Sequence, residues 1–344
     1  MLNFAIIGYD HAHLPKYAPA IAQHPQARLV AVVAPGANRA VARQDAARFA
    51  ARYSEDLETL WETGKIDAVY IGTPPNQHLS VIRELAPRGI HILCDKPLAT
   101  TLGDAEAILG LTKQHGVKLM VPFNPRYQHP VMKLKGMIEA GELGTLQHIH
   151  ATKYGRLPKG IPGLDTTWFF DKVQAGFGGF GDIGIHAIDA LRWLAGSEAR
   201  TVYARIDRII HRDIPVDDIG TGLIEFQNGV IASLQSGWVN PTGTVAWLSV
   251  SFEALGTAGA ALIQKPYHDL ELADESRTEH LPWWRADIAM LVNEFIAAIE
   301  EGREPALTGA DARAALEITI AAYRSAETGQ PVSLPLTGSA AQCW

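Results

Sequence analysis

Ile90-His91-Ile92-Leu93-Cys94-Asp95-Lys96-Pro97-Leu98-Ala99-Thr100-Thr101 decides how the chain reads. The apolar run from Ile90 to Leu93 has the length and composition of a buried strand. Thr101 stands where the N-cap of a following helix belongs, and Pro97 stiffens the turn between the two. A lysine at the carboxyl end of a strand in an open α/β sheet faces the crevice in which ligands bind. Lys96 is therefore a candidate to hydrogen-bond a substrate oxygen. Taken alone, the tetrapeptide Cys94-Asp95-Lys96-Pro97 also reads as an ordinary exposed turn.

Working outward, the same alternation recurs. Apolar runs at 4–7, 28–34, 67–72 and 117–121 read as strands, and segments 17–24, 38–52, 76–88 and 101–115 read as helices. Alternating βα units predict a doubly wound parallel sheet of the Rossmann type over residues 1–121, with right-handed crossovers. Beyond Val121 the pattern changes. A helix at 130–140 precedes strands at 146–153, 201–208, 220–226, 230–236, 246–254 and 260–264, and helices at 285–300 and 309–328 close the chain. Gln227-Asn228-Gly229 is a hairpin signal between two of these strands. Residues 122–344 are expected to form an α+β domain with a mostly antiparallel open sheet, for substrate binding and oligomerisation. One face of such a sheet needs cover, so a homodimer or homotetramer through it is expected.

Composition narrows the classes. A chain of 344 residues suggests two domains, and 47% hydrophobic against 19% charged residues supports packed cores rather than disorder. A net charge of −7 without a Lys/Arg run argues against nucleic acid as a partner. Only Cys94 and Cys343 are present, no disulfide framework, which fits the cytoplasm. No basic region precedes the strand beginning at Asn3, and no apolar stretch is long enough for a membrane span.

Two further segments carry chemistry. The first βα turn, where G-x-G-x-x-G is expected for a dinucleotide, reads Gly8-Tyr9-Asp10-His11-Ala12-His13, with only the first glycine kept. Asp10 near a diphosphate is unfavourable unless it turns away or caps the helix. His11 and His13 are candidate phosphate donors; with Asp10 they are alternatively metal ligands, or simply cleft walls. No metal is expected. At the end of the second strand Ala34 stands where an NAD-binding fold usually keeps an acid. Asn38, Arg39 and Arg43 follow and suit a 2′-phosphate, which favours NADP over NAD; the arginines also read as a solvated helix face. After the third core strand comes Gly72-Thr73-Pro74-Pro75-Asn76-Gln77-His78, with Asn76 a candidate cap. The second segment is Gly176-Phe177-Gly178-Gly179-Phe180-Gly181-Asp182-Ile183-Gly184-Ile185-His186, a glycine-rich loop feeding a helix. Asp182 and His186 are four apart and share a helix face. Histidine is the usual proton carrier near neutral pH, although a cap and a buried, satisfied histidine would give the same pattern.

Together these segments resemble the GFO/IDH/MocA, or glucose-fructose oxidoreductase, family of NAD(P)-dependent oxidoreductases. The family's Glu-Lys-Pro appears as Asp95-Lys96-Pro97, its Thr-Pro-x-x-x-His as Thr73-Pro74 through His78, and its Asn-x-Arg as Asn124-Pro125-Arg126. Its Gly-Gly-x-x-x-Asp-x-Gly-x-His appears as Gly178-Gly179 through Asp182, Gly184 and His186. The resemblance implies a dehydrogenase or reductase acting on CH–OH groups of a sugar, polyol or similar small molecule. Lys96, Asp182 and His186 would be catalytic. Gly8, Asp10, His11, His13, Ala34, Asn38, Arg39, Thr73, Pro74, Asn76, His78, Asp95, Lys96 and Asn124 would line the NAD or NADP site. Arg126, Lys153, Tyr154, Arg156 and Trp168 would shape the substrate pocket, although Trp168-Phe169-Phe170 also reads as core. The resemblance implies a cis Lys96-Pro97 bond, and convergence of Lys96 and His186 on one cleft. It leaves two other readings, an NAD-dependent glycosidase and a non-catalytic dinucleotide-sensing regulator.

Overall fold

The structure, a computed structural model of the chain, describes residues 1–241, 248–264, 270–273, 278–281 and 288–337. Cys343 and the first residues of the strand expected at 246–254 lie outside them. Two compact units are present. The first comprises Met1–Pro122, Pro158–Gly176 and Asp287–Arg313, the second Phe123–Leu157, Phe177–Ala286 and Ala314–Trp344. Each is discontinuous, where the sequence pattern predicts a single cut after residue 121.

The first part of the chain runs β1 (Leu2–Ile7), α1 (Leu14–Ala22), β2 (Ala27–Val33), α2 (Arg39–Arg48), β3 (Arg52–Ser54), β4 (Ala68–Ile71), α3 (His78–Leu85), β5 (His91–Cys94), α4 (Leu102–His115) and β6 (Leu119–Met120). These strands form one parallel sheet in the order β3-β2-β1-β4-β5-β6. Phe4 to Ile7 and Ala68 to Ile71 are buried throughout, as befits strands covered on both faces. The strand order reverses between β1 and β4, the switch point at which open α/β sheets bind ligands. Thr101 caps α4, its side chain accepting from the Asp104 N–H at 3.1 Å. The helix expected over 38–52 stops at Arg48 because Ala50 adopts a positive φ of 54°. Arg52 to Ser54 then pair with Ala31 to Val33 and satisfy the free edge of β2.

The chain continues through α5 (His129–Glu139), β7 (Leu146–Gly155), α6 (Lys172–Ala175), α7 (Gly179–Ala195), β8 (Ala199–Asp207), β9 (Ile219–Phe226), β10 (Ile231–Gly237), β11 (Leu248–Gly256), β12 (Ala260–Ile263), β13 (Leu270–Ala273), β14 (Thr278–Leu281), α8 (Ile288–Glu301), α9 (Gly309–Thr328) and β15 (Val332–Ser333). α6 and α8 belong to the first unit, where Phe295 of α8 packs its ring edge-on against Phe4 of β1. The second unit holds a nine-stranded sheet in the order β14-β13-β12-β11-β7-β10-β9-β8-β15. β7 and β10 run parallel and the other pairs antiparallel. α7 lies against one face of it. Of the glycines in the expected loop, Gly179 and Gly181 lie inside this helix, and Gly184 further along brings it close to the sheet: a Cβ there would stand 3.1 Å from Ser236 Oγ. Among the described residues no helix is long and apolar enough to cross a membrane.

Candidate active site

In the first unit the site residues gather at the carboxyl ends of β1, β4 and β5. Gly8 turns the chain out of β1 at φ +80°, and a Cβ there would stand 2.4 Å from Thr73 Cγ2. Only glycine fits that turn. The Gly72 carbonyl of the neighbouring strand end accepts from both the Asp10 and His11 N–H groups. Asp10 does not cap α1; His13 holds the N-cap position without a side-chain capping bond among the described residues. The Asp10 carboxylate turns instead towards the end of β2, where a Cβ on Gly36 would lie 3.0 Å from its Oδ1. Burial pushes this carboxyl up to about 6, against a backbone hydrogen bond and one from Asn38 that favour the charged form. A carboxylate therefore does stand near the end of β2, supplied by the first turn rather than by position 34. Ala34 itself is buried, with its carbonyl accepting from Tyr53 OH at 3.1 Å. Arg39 and Arg43 are exposed and lie 4.0 and 3.9 Å from Glu55.

Asn38 has a different use from the one expected. Its side-chain N–H donates to the Asp165 carbonyl at 3.0 Å, and its oxygen accepts from the Asp165 N–H at 2.6 Å. Trp168 donates from Nε1 to the Asp10 carbonyl at 3.0 Å. Trp168 and Phe169 both contact the His11 ring. These links fasten Pro158–Gly176 to the first unit, and they attach Trp168 to the β1–α1 turn.

His11, His13 and Asp95 meet where β1 and β5 end. Asp95 Oδ2 lies 3.2 Å from His11 Nδ1, and its Oδ1 lies 3.2 Å from His13 Nδ1. Tyr70 OH donates to Asp95 Oδ2, and the Lys96 N–H donates to Oδ1 at 2.8 Å. Burial alone would raise the Asp95 carboxyl, but His11, His13 and Lys96 reverse this and hold it below the ordinary carboxylate range. Burial drives His11 the other way, well below the ordinary imidazole value, while the Asp95 carboxylate opposes that shift. Lys96 is buried, and the Lys96-Pro97 bond is cis. His78 braces this edge. Its two ring nitrogens face the carbonyls of Leu98 and Thr73, each at 3.0 Å, so neither is directed at a ligand. Asn76 is exposed inside a short 3₁₀ turn, Pro75–Gln77, and does not cap α3. Pro74 precedes that turn.

In the second unit Asp182 and His186 occupy successive turns of α7. Trp238, fully buried at the end of β10, donates from Nε1 to Asp182 Oδ2 at 2.9 Å. His186 is buried, with Phe123 edge-on to its ring at 5.8 Å. The start of α7 is held by two distant residues. Tyr323 OH accepts from the Gly178 and Gly181 N–H groups and donates to Asp217 Oδ1, while Asp217 Oδ2 accepts from the Phe180 N–H. These partners satisfy orphan amides of the first turn. Arg126 is buried and grips Asp189 of α7 with two parallel bonds of 2.7 and 2.5 Å. Two of its guanidinium nitrogens thereby tie the Asn124–Tyr127 turn to α7. Asn124 Oδ1 is buried without a hydrogen-bond partner among the described residues. Lys153 and Tyr154 do not share a pocket. Strand side chains alternate, so Lys153 points with Ile149 and Ala151 to the buried face, and Tyr154 lies with His150 and Thr152 on the other, bonded to Gln235. Arg156 follows the end of β7.

The first unit suits a dinucleotide at the switch point. Gly8 lets the turn after β1 pack directly against Thr73, whose Oγ1 is buried without a partner among the described residues. Trp238, Tyr323 and Asp217 were not foreseen as supports of α7. Each reaches it from a remote part of the sequence, and only the run of glycines hinted that something approaches the helix closely.

Residues 2–123 match the oxidoreductase family with an NAD-binding Rossmann fold, and residues 131–262 match the GFO/IDH/MocA C-terminal domain. The chain is 28% identical over 336 residues to D-xylose 1-dehydrogenase (NADP(+)) 2 of Haloferax volcanii, covering 97% of this chain and 100% of that one. It is 29% identical over 347 residues to scyllo-inositol 2-dehydrogenase (NAD(+)) of Bacillus subtilis, covering 97% and 95%. Among solved structures, aldose-aldose oxidoreductase from Caulobacter crescentus, complexed with glycerol, superposes with a TM-score of 0.83 at 25% identity, over 97% of this chain and 99% of that one. With both halves matched, the chain belongs to the GFO/IDH/MocA family of NAD(P)-dependent sugar and polyol dehydrogenase-type oxidoreductases.

Proposed function

We propose that the chain oxidises or reduces a sugar or polyol at a CH–OH carbon, with Lys96, Asp182 and His186 as its catalytic residues. The observation that carries this reading is the pair on α7: His186 one turn from Asp182, whose carboxylate Trp238 fixes. Bound NAD(P) supplies the hydride acceptor or donor. Lys96 holds and polarises the reacting oxygen through its ammonium. His186 takes the hydroxyl proton in oxidation and returns it in reduction, and Asp182 orients the imidazole and stabilises its charged form. Gly8, Thr73, Pro74, Asp95 and Asn124 would hold the dinucleotide, with Asp10, Ala34 and Arg39 at its adenosine end. The carbohydrate class follows from the relatives, whose named substrates are D-xylose and scyllo-inositol. Retention of Lys96, Asp182 and His186 argues against a purely regulatory role.

Ala34 and the neighbouring Arg39 and Arg43 favour NADP, while the Asp10 carboxylate beside Gly36 favours NAD once it is ionised. The open face of the nine-stranded sheet is the surface proposed for a second copy of the chain. The cytoplasm is the proposed compartment; Cys94 is a free, buried thiol.

The test is a kinetic double-mutant cycle on whichever aldose or inositol the protein turns over. Lys96→Ala and His186→Ala should each lower kcat by about 10²–10⁴, with cofactor affinity comparatively intact. The double variant should fall well short of the product of the two, because both groups serve one oxygen. Wild-type turnover in His186→Ala, or fully multiplicative losses, would overturn the assignment.

A further inference from the structure

We propose that His11, His13 and Asp95 form a binding site for a divalent transition-metal ion, of the two-histidine, one-carboxylate type, at the carboxyl ends of β1 and β5. The three side chains present one ligand atom each within 4.8 Å of one another. Typical metal–nitrogen and metal–oxygen bonds of about 2.0–2.2 Å place neighbouring ligand atoms roughly 2.8–3.5 Å apart, for angles from octahedral to tetrahedral. The histidine–carboxylate separations are 3.2 Å from His11 Nδ1 to Asp95 Oδ2 and 3.2 and 3.3 Å from His13 Nδ1 to the two carboxylate oxygens.

The hydrogen-bond pattern of His11 points the same way. The ring is buried, and its Nε2 has no hydrogen-bond partner among the described residues. The ring packs against those of His13, Trp168 and Phe169, with centroids 4.3, 5.7 and 5.5 Å away. The His13 N–H donates to His11 Nδ1 at 3.3 Å, so Nδ1 is the accepting nitrogen of this ring, the form in which a ring nitrogen can ligate. Neutral imidazole and ionised carboxylate are the forms that bind a metal.

The carboxylate is oriented from behind by Tyr70 OH and the Lys96 N–H, the kind of outer support that ligating carboxylates carry. Two nitrogens and a carboxylate suit zinc or a neighbouring first-row ion rather than magnesium. Three protein ligands leave at least one coordination position for a water, hydroxyl or carboxylate oxygen. The rival source of positive charge is Lys96, which acts on both Asp95 and His11.

The experiment uses the intact protein, stripped with a chelator, and reads metal binding rather than turnover, so it fails or succeeds independently of the hydride-transfer assignment. Calorimetric titration with Zn²⁺ should give one equivalent per chain at micromolar or tighter affinity. Co²⁺ should produce visible d–d absorption, and Mg²⁺ at the same concentrations should not compete. His13→Gln alters the partly exposed ligand and should weaken Zn²⁺ about 100-fold; His11→Gln should do the same. Asp95→Asn is less suitable, because Asp95 also holds Tyr70 and the Lys96 backbone. Less than one-tenth of an equivalent of Zn²⁺ at 1 mM (roughly −4 kcal/mol) would overturn the proposal and leave Lys96 as the cation. Undiminished affinity in both histidine variants would equally overturn it, by locating the ion elsewhere.

Discussion

The Trp238 indole helps to hold Asp182. Trp238→Phe keeps an aromatic ring but removes the Nε1–H that reaches Asp182 Oδ2, together with part of the buried ring volume. A hydrogen bond to a charged group is worth about 1.5–3 kcal/mol, so kcat should fall at least about tenfold. The loss should appear in the pH–rate profile as a displaced His186 limb. An unchanged profile in a folded variant would show that Asp182 needs no such anchor. Asp10 gives a second residue-scale expectation. Its carboxyl is pushed up to about 6, chiefly by burial, so it is neutral in mild acid and ionised above that value. An ionised Asp10 at the adenosine end repels a 2′-phosphate. NADP(H) affinity relative to NAD(H) should therefore fall as pH rises through about 6, and Asp10→Asn should flatten the trend. Fluorescence titration of both cofactors at pH 5 and pH 8 measures it; a ratio independent of pH in the wild type would refute it.

Among the elements, α7 carries the proposed catalytic pair, Asp182 and His186, and depends on its first turn. A Cβ on Gly178 would lie 2.3 Å from Asp217 Oδ1 and 2.5 Å from the Asp217 carbonyl. Gly178→Ala must displace Asp217, and with it the bonds to the Phe180 N–H and Tyr323 OH. A loss of about 2 kcal/mol or more in unfolding free energy is expected, with Tyr323→Phe costing about 1–3 kcal/mol through its unpaired amides. Denaturant titration decides both, and a Gly178→Ala midpoint equal to wild type would contradict the capping account. This helix also shows what was legible in the sequence. The pairing of Asp182 with His186 follows from helical spacing, and the Thr101 cap follows from local chemistry. The contacts that finish the site link residues 56 apart for Trp238 and Asp182, 106 for Tyr323 and Asp217, and 127 for Asn38 and Asp165. No local pattern encodes such pairings. Tyr154 is a different case. Adjacent strand residues must face opposite ways, so the period of β7 already forbade Lys153 and Tyr154 from lining one pocket.

At the scale of the whole molecule, the face of the nine-stranded sheet opposite α7 carries partly exposed apolar side chains. Register places Tyr203, Leu223, Ser233, His150 and Glu253 in one row across β8, β9, β10, β7 and β11. The next row brings Thr201, Glu225, Ile231, His148 and Leu255 together. Leu223 and Ile231 are each 48% exposed, and Leu255 is 42% exposed, on a surface that also carries hydroxyls, histidines and the carboxylates of Glu225 and Glu253. That mixture resembles an interface more than a solvated face, because apolar side chains stand at regular intervals among groups able to hydrogen-bond across a contact. An isologous contact would bury each of these side chains twice. Burying a Leu or Ile contributes about 1.5–3 kcal/mol, so replacing Leu223 and Ile231 by Glu removes on the order of 5 kcal/mol or more from a dimer, apart from the repulsion of the new charges. That corresponds to a dissociation constant raised more than about 10³-fold. Light scattering coupled to size exclusion should find the wild type as a dimer or tetramer and the Leu223→Glu/Ile231→Glu protein as a smaller species. The fold should be retained, because both side chains point away from α7. If the two proteins share one mass, this face is not where copies of the chain meet.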